Sequence, residues 1–360
     1  MQKYKVGILG ATGMVGQRFV TLLENHPWFE VTTLAASERS AGKTYEEVVK
    51  STWKMTTPIP KSVKNKIILN VSDVKKVAET VDFVFSAVDM DKEAIQKIEE
   101  AYAQAETPVI SNNSAHRWTK DVPMVMPEVN SEHFAIIKEQ KKRLGTKRGF
   151  IVTKPNCSIQ SYTPILKAWE EFKPVEIVAT TYQAISGAGK NFAAWPEMVG
   201  NIQPLIPGEE EKSEQEPLRL LGTTKEGEVI NAILPIITTQ CVRVPVLDGH
   251  TAAVFVRFEK KPTKQQLVDK MISFKGAPQE LELPSAPKQF IQYLEDENRP
   301  QITLDLDYEN GMGISAGRLR KDHVYDYKFV CLSHNTLRGA AGGAVLCAEI
   351  LVAQNYIAQK

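Results

Sequence analysis

An apolar run, Tyr4–Leu9, leads directly into GATGMVG at 10–16, and an amphipathic pattern of helical spacing follows over 14–24. Strand, glycine turn and helix in immediate succession leave few options for the fold. The glycines permit a tight turn and let the backbone approach a pyrophosphate, while the helix start offers free N–H groups and a positive dipole end. The spacing is GxxGxxG rather than GxGxxG, but the physical role is the same. The plain alternative is a turn with no ligand. At this position in a strand–turn–helix unit, nucleotide binding is the stronger reading, with Gly10, Thr12, Gly13, Met14 and Val15 assigned to the cofactor.

The pattern then repeats. Segments 30–36, 83–88 and 108–111 read as strands, and 91–103 reads as a helix with one polar face. This alternation predicts an α/β chain with a Rossmann-type parallel sheet covered by helices. From about Gly149 the character changes. Segment 150–153 reads as a strand, 158–169 as a helix and 176–185 as a long β-branched strand; 230–235, 239–246, 252–258 and 327–331 read as further strands. These predict an α+β catalytic and dimerisation domain with a large mixed sheet. A final apolar stretch at 336–357, rich in Ala and Gly, predicts one helix packed back on the first domain. The expected division is therefore 1–155 plus the C-terminal helix 336–360, and 156–335.

Composition excludes several classes. The chain has 360 residues, is 42% hydrophobic and 24% charged, and carries a formal net charge of +1. That balance points to neither nucleic acid nor an anionic membrane as the main partner. No apolar run approaches the ~20 residues of a membrane helix, and the first residues show no signal-peptide pattern, so a cytoplasmic protein is expected. The four cysteines, Cys157, Cys241, Cys331 and Cys347, are far apart without CxxC spacing. Neither a disulfide framework nor a zinc site is expected.

The end of the second strand bears on cofactor choice. An NAD enzyme usually places an acid there for the ribose 2′-OH. Here Ser37, Arg39 and Ser40 suit a 2′-phosphate and favour NADP, while Glu38 is the one discordant residue.

Cys157 lies in KPNCS at 154–158, between a predicted strand and a predicted helix, where a helix N-terminus would stabilise its thiolate. A thiolate there can attack a carbonyl or acyl phosphate; the alternative is an inert buried cysteine. Of six histidines, His250 sits after a strand and just beyond the Gly249 turn, placed to project into a cleft. Arg243, on the preceding strand, offers a guanidinium fork for a carboxylate, or an ordinary surface ion pair. In GEEEK at 208–212, Glu209 suits a substrate ammonium and Lys212 a phosphate; a solvated helix start reads the same way. The loop SNNSAHR at 111–117 is a plausible phosphate cradle or a plain polar loop. Ser186-Gly187 opens a second Gly-rich turn suited to close approach by a cofactor.

Seven motifs in order, GATGMVG, SNNSAHR, PNCS, QAISGAGK at 183–190, GEEEK, RVPVLDGH at 243–250 and NTLRGAAGG at 335–343, make the chain resemble the aspartate-semialdehyde dehydrogenase family essentially end to end. SNNSAHR and the compact PNCS are more similar to its archaeal and fungal branch. The resemblance implies Cys157 as nucleophile, His250 as acid/base and Gln183 as the residue orienting substrate and thioester. It implies that Arg243 grips the α-carboxylate, Glu209 the amino group, and Asn113, Arg117 and Lys212 the phosphate, with Asn156 lining the same site. It places Asn335 and Thr336 near the nicotinamide; Ser86 is assigned to the cofactor as well.

The implied activity is NADPH-dependent reduction of L-aspartyl 4-phosphate to L-aspartate 4-semialdehyde, without a metal, by a homodimer or homotetramer in aspartate-family amino-acid biosynthesis. Three other readings stay open: an acyl-CoA reductase of the same fold, acting for example on malonyl-CoA; more distantly, an N-acetylglutamyl-phosphate reductase; and a non-catalytic NADP-binding sensor.

Overall fold

A computed structural model describes residues 2–360. The first six strands are β1 (Tyr4–Leu9), β2 (Phe29–Ala36), β3 (Leu69–Asn70), β4 (Phe83–Ser86), β5 (Val109–Ser111) and β6 (Ile151–Thr153). They form one sheet in the order β3-β2-β1-β4-β5-β6, and every pairing in it is parallel. Short runs such as Phe83-Val84-Phe85 are buried on both faces, as helix-covered parallel strands require. Helices α1 (Met14–Leu22) and α2 (Lys92–Gln104) follow β1 and β4. Asp91 caps α2 by accepting from the Ala94 N–H at 2.9 Å, which satisfies one free donor of the first turn. The strand order reverses between β1 and β4, and a crevice for ligands opens at the carboxyl ends of such strands.

The second sheet contains β7 (Pro174–Gln183), β10 (Ile236–Arg243), β11 (His250–Phe258), β12 (Ile291–Leu294), β13 (Ile314–Lys321) and β14 (Tyr327–Ser333); β8 (Thr223–Lys225) and β9 (Glu228–Ile230) make a separate hairpin. Its order is β10-β7-β11-β14-β13-β12. The two outer pairings are parallel and the three inner ones antiparallel. Residues of β11 alternate between buried and half-buried, so one face is packed and the other is open. The packed face shares a core with Trp169, Phe258 and Phe329. Helix α3 (Glu209–Leu220) lies against β10.

A π-type turn, Leu337–Ala341, leads into α4 (Gly342–Ala353). Val345, Leu346, Ile350 and Leu351 of α4 share one apolar core with Val6, Phe19, Phe29 and Phe85. Glu349 of α4 also bonds His26 at 2.7 Å across this junction. No described helix is long and apolar enough to cross a membrane.

Several expectations are corrected. Segment 158–169 is not one helix but a 3-10 turn, Ser158–Gln160, followed by Thr163–Ala168. Pro164 brings no N–H to a continuous ladder, so the helix restarts around it. Segment 230–235 is mostly loop, since β9 stops at Ile230 and Pro235 cannot donate to a strand ladder. The C-terminal helix is interrupted at Ala340, whose φ of −142° and ψ of −105° lie outside the helical region. β3, β12, β13 and the helix Lys264–Ser273 lacked a sequence signal strong enough to be read.

Candidate active site

Three site residues are set abreast by strand register. Arg243 ends β10, Gln183 ends β7 and His250 opens β11; Arg243 pairs with Gln183, and Gln183 with His250. Directly opposed residues of neighbouring strands project to the same face, so the sheet presents a guanidinium, an amide and an imidazole in one row. Gly249 allows the sharp entry into β11 with a φ of +99°, a conformation that glycine adopts without steric cost.

Cys157 follows β6 of the other sheet and meets this row. Its Sγ lies 3.4 Å from His250 Nε2. The sequence expectation of a thiolate stabilised by a helix start does not hold, because only the three-residue turn Ser158–Gln160 follows. Burial, reinforced by Glu209, pushes the thiol up to about 11; Lys154, Arg117 and Arg243 oppose the shift. Burial and then Arg243 push His250 down to about 3. The pair at rest is therefore a neutral thiol beside a neutral imidazole. Ala184 N–H donates to His250 Nδ1 at 3.1 Å. A peptide N–H can only donate, so Nδ1 is the acceptor and Nε2 carries the proton.

The cleft in front of the sulfur measures about 340 Å3 and is lined by Cys157, Gln183, Arg243, Glu209, Lys212, Arg117, Asn113 and Asn156 together. His250 stands behind the sulfur, fully buried. Arg243 Nη1 donates to the Ala184 carbonyl at 2.8 Å, which aims its fork. Glu209 Oε1 accepts from Asn156 Nδ2 at 2.7 Å and its Oε2 from Lys212 Nζ at 3.3 Å. Asn113 Nδ2 is already held by Glu99 at 3.1 Å and by Ser86 Oγ at 3.3 Å. Its neighbour Asn112 also lines the cleft, and both polar atoms of its side chain lack a protein partner. Arg117 is nine-tenths buried and donates Nη1 to Glu216 Oε1 at 2.8 Å and Nε to the Lys154 carbonyl at 2.9 Å.

The crevice continues to the first sheet. Met14, Val15, Ser186, Gly187, Asn335 and Thr336 line the catalytic cleft, and Gly10, Thr12, Gly13, Ser37 and Arg39 line a second cavity beyond β1 and β4. A Cβ on Gly10, which has φ +79°, would come within 2.3 Å of the Ala87 carbonyl oxygen, and one on Gly16 within 2.3 Å of the Gly10 oxygen. This bare-backbone turn with its open mouth fits a dinucleotide pyrophosphate. Asn335 braces the cleft, donating Nδ2 to Ser186 Oγ at 2.8 Å and accepting the Gly249 N–H at 2.7 Å. Two of the cofactor assignments fall outside both cavities. Ser86 is fully buried beneath Asn113, and Ser40 is part of the turn after β2. Glu38, the residue that argued for NAD, is exposed and does not line the second cavity.

Sequence reasoning missed Lys154, Asn112, Glu216 and Gly339. Lys154 lies inside a quoted motif, but its burial was invisible there; desolvation pushes its ammonium down to about 7. Glu216 sits seven residues after Glu209, a spacing that puts both on one helix face. Gly339 faces the nucleophile so closely that an added Cβ would lie 2.8 Å from that of Cys157.

Comparison with known proteins agrees with this geometry. Residues 5–137 match the semialdehyde dehydrogenase NAD-binding domain and residues 163–338 the semialdehyde dehydrogenase dimerisation domain. The aspartate-semialdehyde dehydrogenase of Methanothermobacter thermautotrophicus is 44% identical over 349 residues, which is 96% of this chain and 98% of that one. The Schizosaccharomyces pombe enzyme of the same name is 41% identical over 360 residues, covering 97% and 98%. Among solved structures, aspartate semialdehyde dehydrogenase with NADP from Candida albicans superposes with a TM-score of 0.87 at 38% identity, covering 99% of this chain and 100% of that one. Aspartate semialdehyde dehydrogenase II from Vibrio cholerae, complexed with ASA, gives 0.74 at 26% identity over 98% and 99%. With a nucleotide-type sheet, a cysteine facing a histidine, and relatives of this identity along both halves, the chain belongs to the aspartate-semialdehyde dehydrogenase family.

Proposed function

We propose that this chain reduces L-aspartyl 4-phosphate to L-aspartate 4-semialdehyde with NADPH, through a thioester on Cys157. The observation that carries the reading is the 3.4 Å approach of Cys157 Sγ to His250 Nε2, beside the row of Arg243 and Gln183. The reading also draws on the Candida relative solved with NADP and the Vibrio relative complexed with ASA.

Arg243 holds the substrate α-carboxylate by its planar fork. Glu209, steadied by Asn156, takes the ammonium. The sulfur forms a bond to the acyl carbon as the carbon–oxygen bond to phosphate breaks, and the thiol proton leaves with the hydrogen phosphate. Arg117 and Lys212 stabilise that departing charge. Gln183 orients the carbonyl. NADPH, held by Gly10, Thr12, Gly13, Ser37 and Arg39, supplies the hydride that brings the thioester carbon to the aldehyde level. His250, with its proton on Nε2, donates a hydrogen bond to the sulfur as it is expelled, and the thiolate is then protonated through the open cleft. The buried Glu209 favours an amino-acid substrate over an acyl-CoA, which has no use for a carboxylate there.

The assembly follows the same reading. Val199, Ile202, Leu205, Ile233 and Ile236 are exposed large apolar residues around β10 and its approach, a patch of the kind that marks an interface. A homodimer through this region, extended to a homotetramer, suits it. The unit boundaries of this reading are 1–155 with 336–360, and 156–335. Four free thiols suit a reducing cytoplasm. The remaining partners are small molecules.

The test is phosphate-dependent NADP reduction with L-aspartate 4-semialdehyde, with Cys157→Ser beside the wild type. Activity that requires phosphate and disappears in the serine variant is expected. A serine variant that turns over at more than about a tenth of the wild-type rate removes Cys157 from its role, since a hydroxyl is barely ionised at neutral pH.

A further inference from the structure

Glu216 contacts no substrate in the proposed reaction, yet it is fully buried beside the nucleophile. Its two carboxylate oxygens serve two different segments of the site. Oε1 accepts from Arg117 Nη1 at 2.8 Å, and Oε2 accepts the peptide N–H of Asn156 at 2.6 Å. Arg117 in turn donates to the carbonyl of Lys154, three residues before the sulfur, at 2.9 Å. One carboxylate thus joins α3, the loop that carries Arg117 and the turn that presents Cys157.

The helix is built for this contact. Glu209, Lys212 and Glu216 recur at spacings of three and four, so they lie along one face. Ser213 on that face meets Ser158 Oγ at 2.9 Å, and its carbonyl accepts from Tyr162 OH at 2.8 Å. The face that offers two groups to the substrate is therefore stitched to both sides of the nucleophile.

Both partners of Glu216 are N–H donors. A carboxylate has two acceptor oxygens and can serve both, whereas a glutamine has one acceptor and an NH2. In Glu216→Gln one of the two bonds must be lost, and the amide NH2 is left facing another donor. Removing the charge also leaves Arg117 as a buried cation without its counter-ion.

We infer that Glu216 is a positioning residue. It fixes the Arg117 guanidinium and the Asn156 peptide relative to each other, and so sets how the phosphate-binding cation stands to the attacking sulfur. The inference rests on the roles proposed above for Arg117 and Cys157.

The experiment uses the full chain in the oxidative direction, with inorganic phosphate varied at saturating NADP and L-aspartate 4-semialdehyde. Glu216→Gln should raise the KM for phosphate about 10- to 100-fold, the effect of losing one hydrogen bond to a charged group. The KM values for NADP and the semialdehyde should stay within about twofold. Glu216→Asp keeps both acceptor oxygens but withdraws them by one methylene, and should fall between the two. Should Glu216→Gln not accumulate as folded protein, Glu216→Asp carries the test by a smaller rise that is still confined to the phosphate KM. An unchanged phosphate KM in the folded variants overturns the inference. So does a parallel loss for all three substrates, the mark of a merely structural residue. Wild-type turnover that needs phosphate and vanishes in Cys157→Ser supports the underlying reading separately, so a flat response at 216 counts against Glu216 alone.

Discussion

The peptide N–H of Ala184 donates to Nδ1 of His250 at 3.1 Å, and this one bond decides which ring nitrogen carries the proton. With Nδ1 accepting, Nε2–H faces the Cys157 sulfur. Nitrogen NMR of ring-labelled protein should show a protonated Nε2 and a bare Nδ1 from pH 8 to pH 5. A protonated Nδ1 in that range would exclude the donor role given to His250.

The same burial ties His250 to acid stability. Its protonation lies near 3 in the folded chain, against about 6.5 in an unfolded one. Between those values the unfolded chain binds the extra proton, so stability is fully present above about pH 6.5 and is lost as pH falls. At pH 5 the loss should be about 2 kcal/mol, at 1.36 kcal/mol per unit. Urea midpoints for wild type and His250→Asn at pH 7 and 5 check this; the variant should lose less.

The thiol stands high in the resting protein, at about 11, because it is buried beside Glu209. Alkylation of Cys157 by iodoacetamide should be slow at pH 7 and rise with pH beyond 9. A plateau below pH 7 would mean that the resting cysteine is already a thiolate.

Gly187 leaves room for the catalytic row. A Cβ there would lie 3.0 Å from Arg243 Nη1 and 3.2 Å from both His250 Cε1 and Nε2. Gly187→Ala should lower kcat about 10- to 100-fold, in line with the ~1–3 kcal/mol cost of overpacking a fitted site. The same crowding should lower the thermal unfolding temperature by a few degrees; steady-state turnover beside a melting curve checks both.

Arg39 lines the second cavity while Glu38 points into solvent. Arg39→Leu should raise the KM for NADP about 10- to 100-fold, the worth of one charged hydrogen bond, and leave that for NAD nearly unchanged. Steady-state kinetics with both cofactors distinguish this from a general loss of binding.

The sequence showed the chemistry better than its support. GATGMVG carried the first sheet because strand, turn and helix signals coincide there, and the paired signals around Gly249 located His250. Cys157 was legible as a nucleophile but not in its setting: Pro164 breaks the helix that would have lowered its pKa, and the burial that raises it comes from distant segments. Glu216 had the right spacing from Glu209, but nothing local says that its partners would be Arg117, 99 residues away, and a peptide N–H. Asn113 looked free in its loop, yet Glu99 and Ser86 occupy it, while the side chain of its neighbour Asn112 is left without protein partners.

The sharing of one core by α4 and β1 has a consequence for synthesis. Val6, Phe19 and Phe85 leave the ribosome well before the side chains that cover them, Val345 to Leu351. Until those residues emerge, that side of the parallel sheet is open. A nascent chain of this kind depends on whatever shields that surface until residues 342–353 close over it.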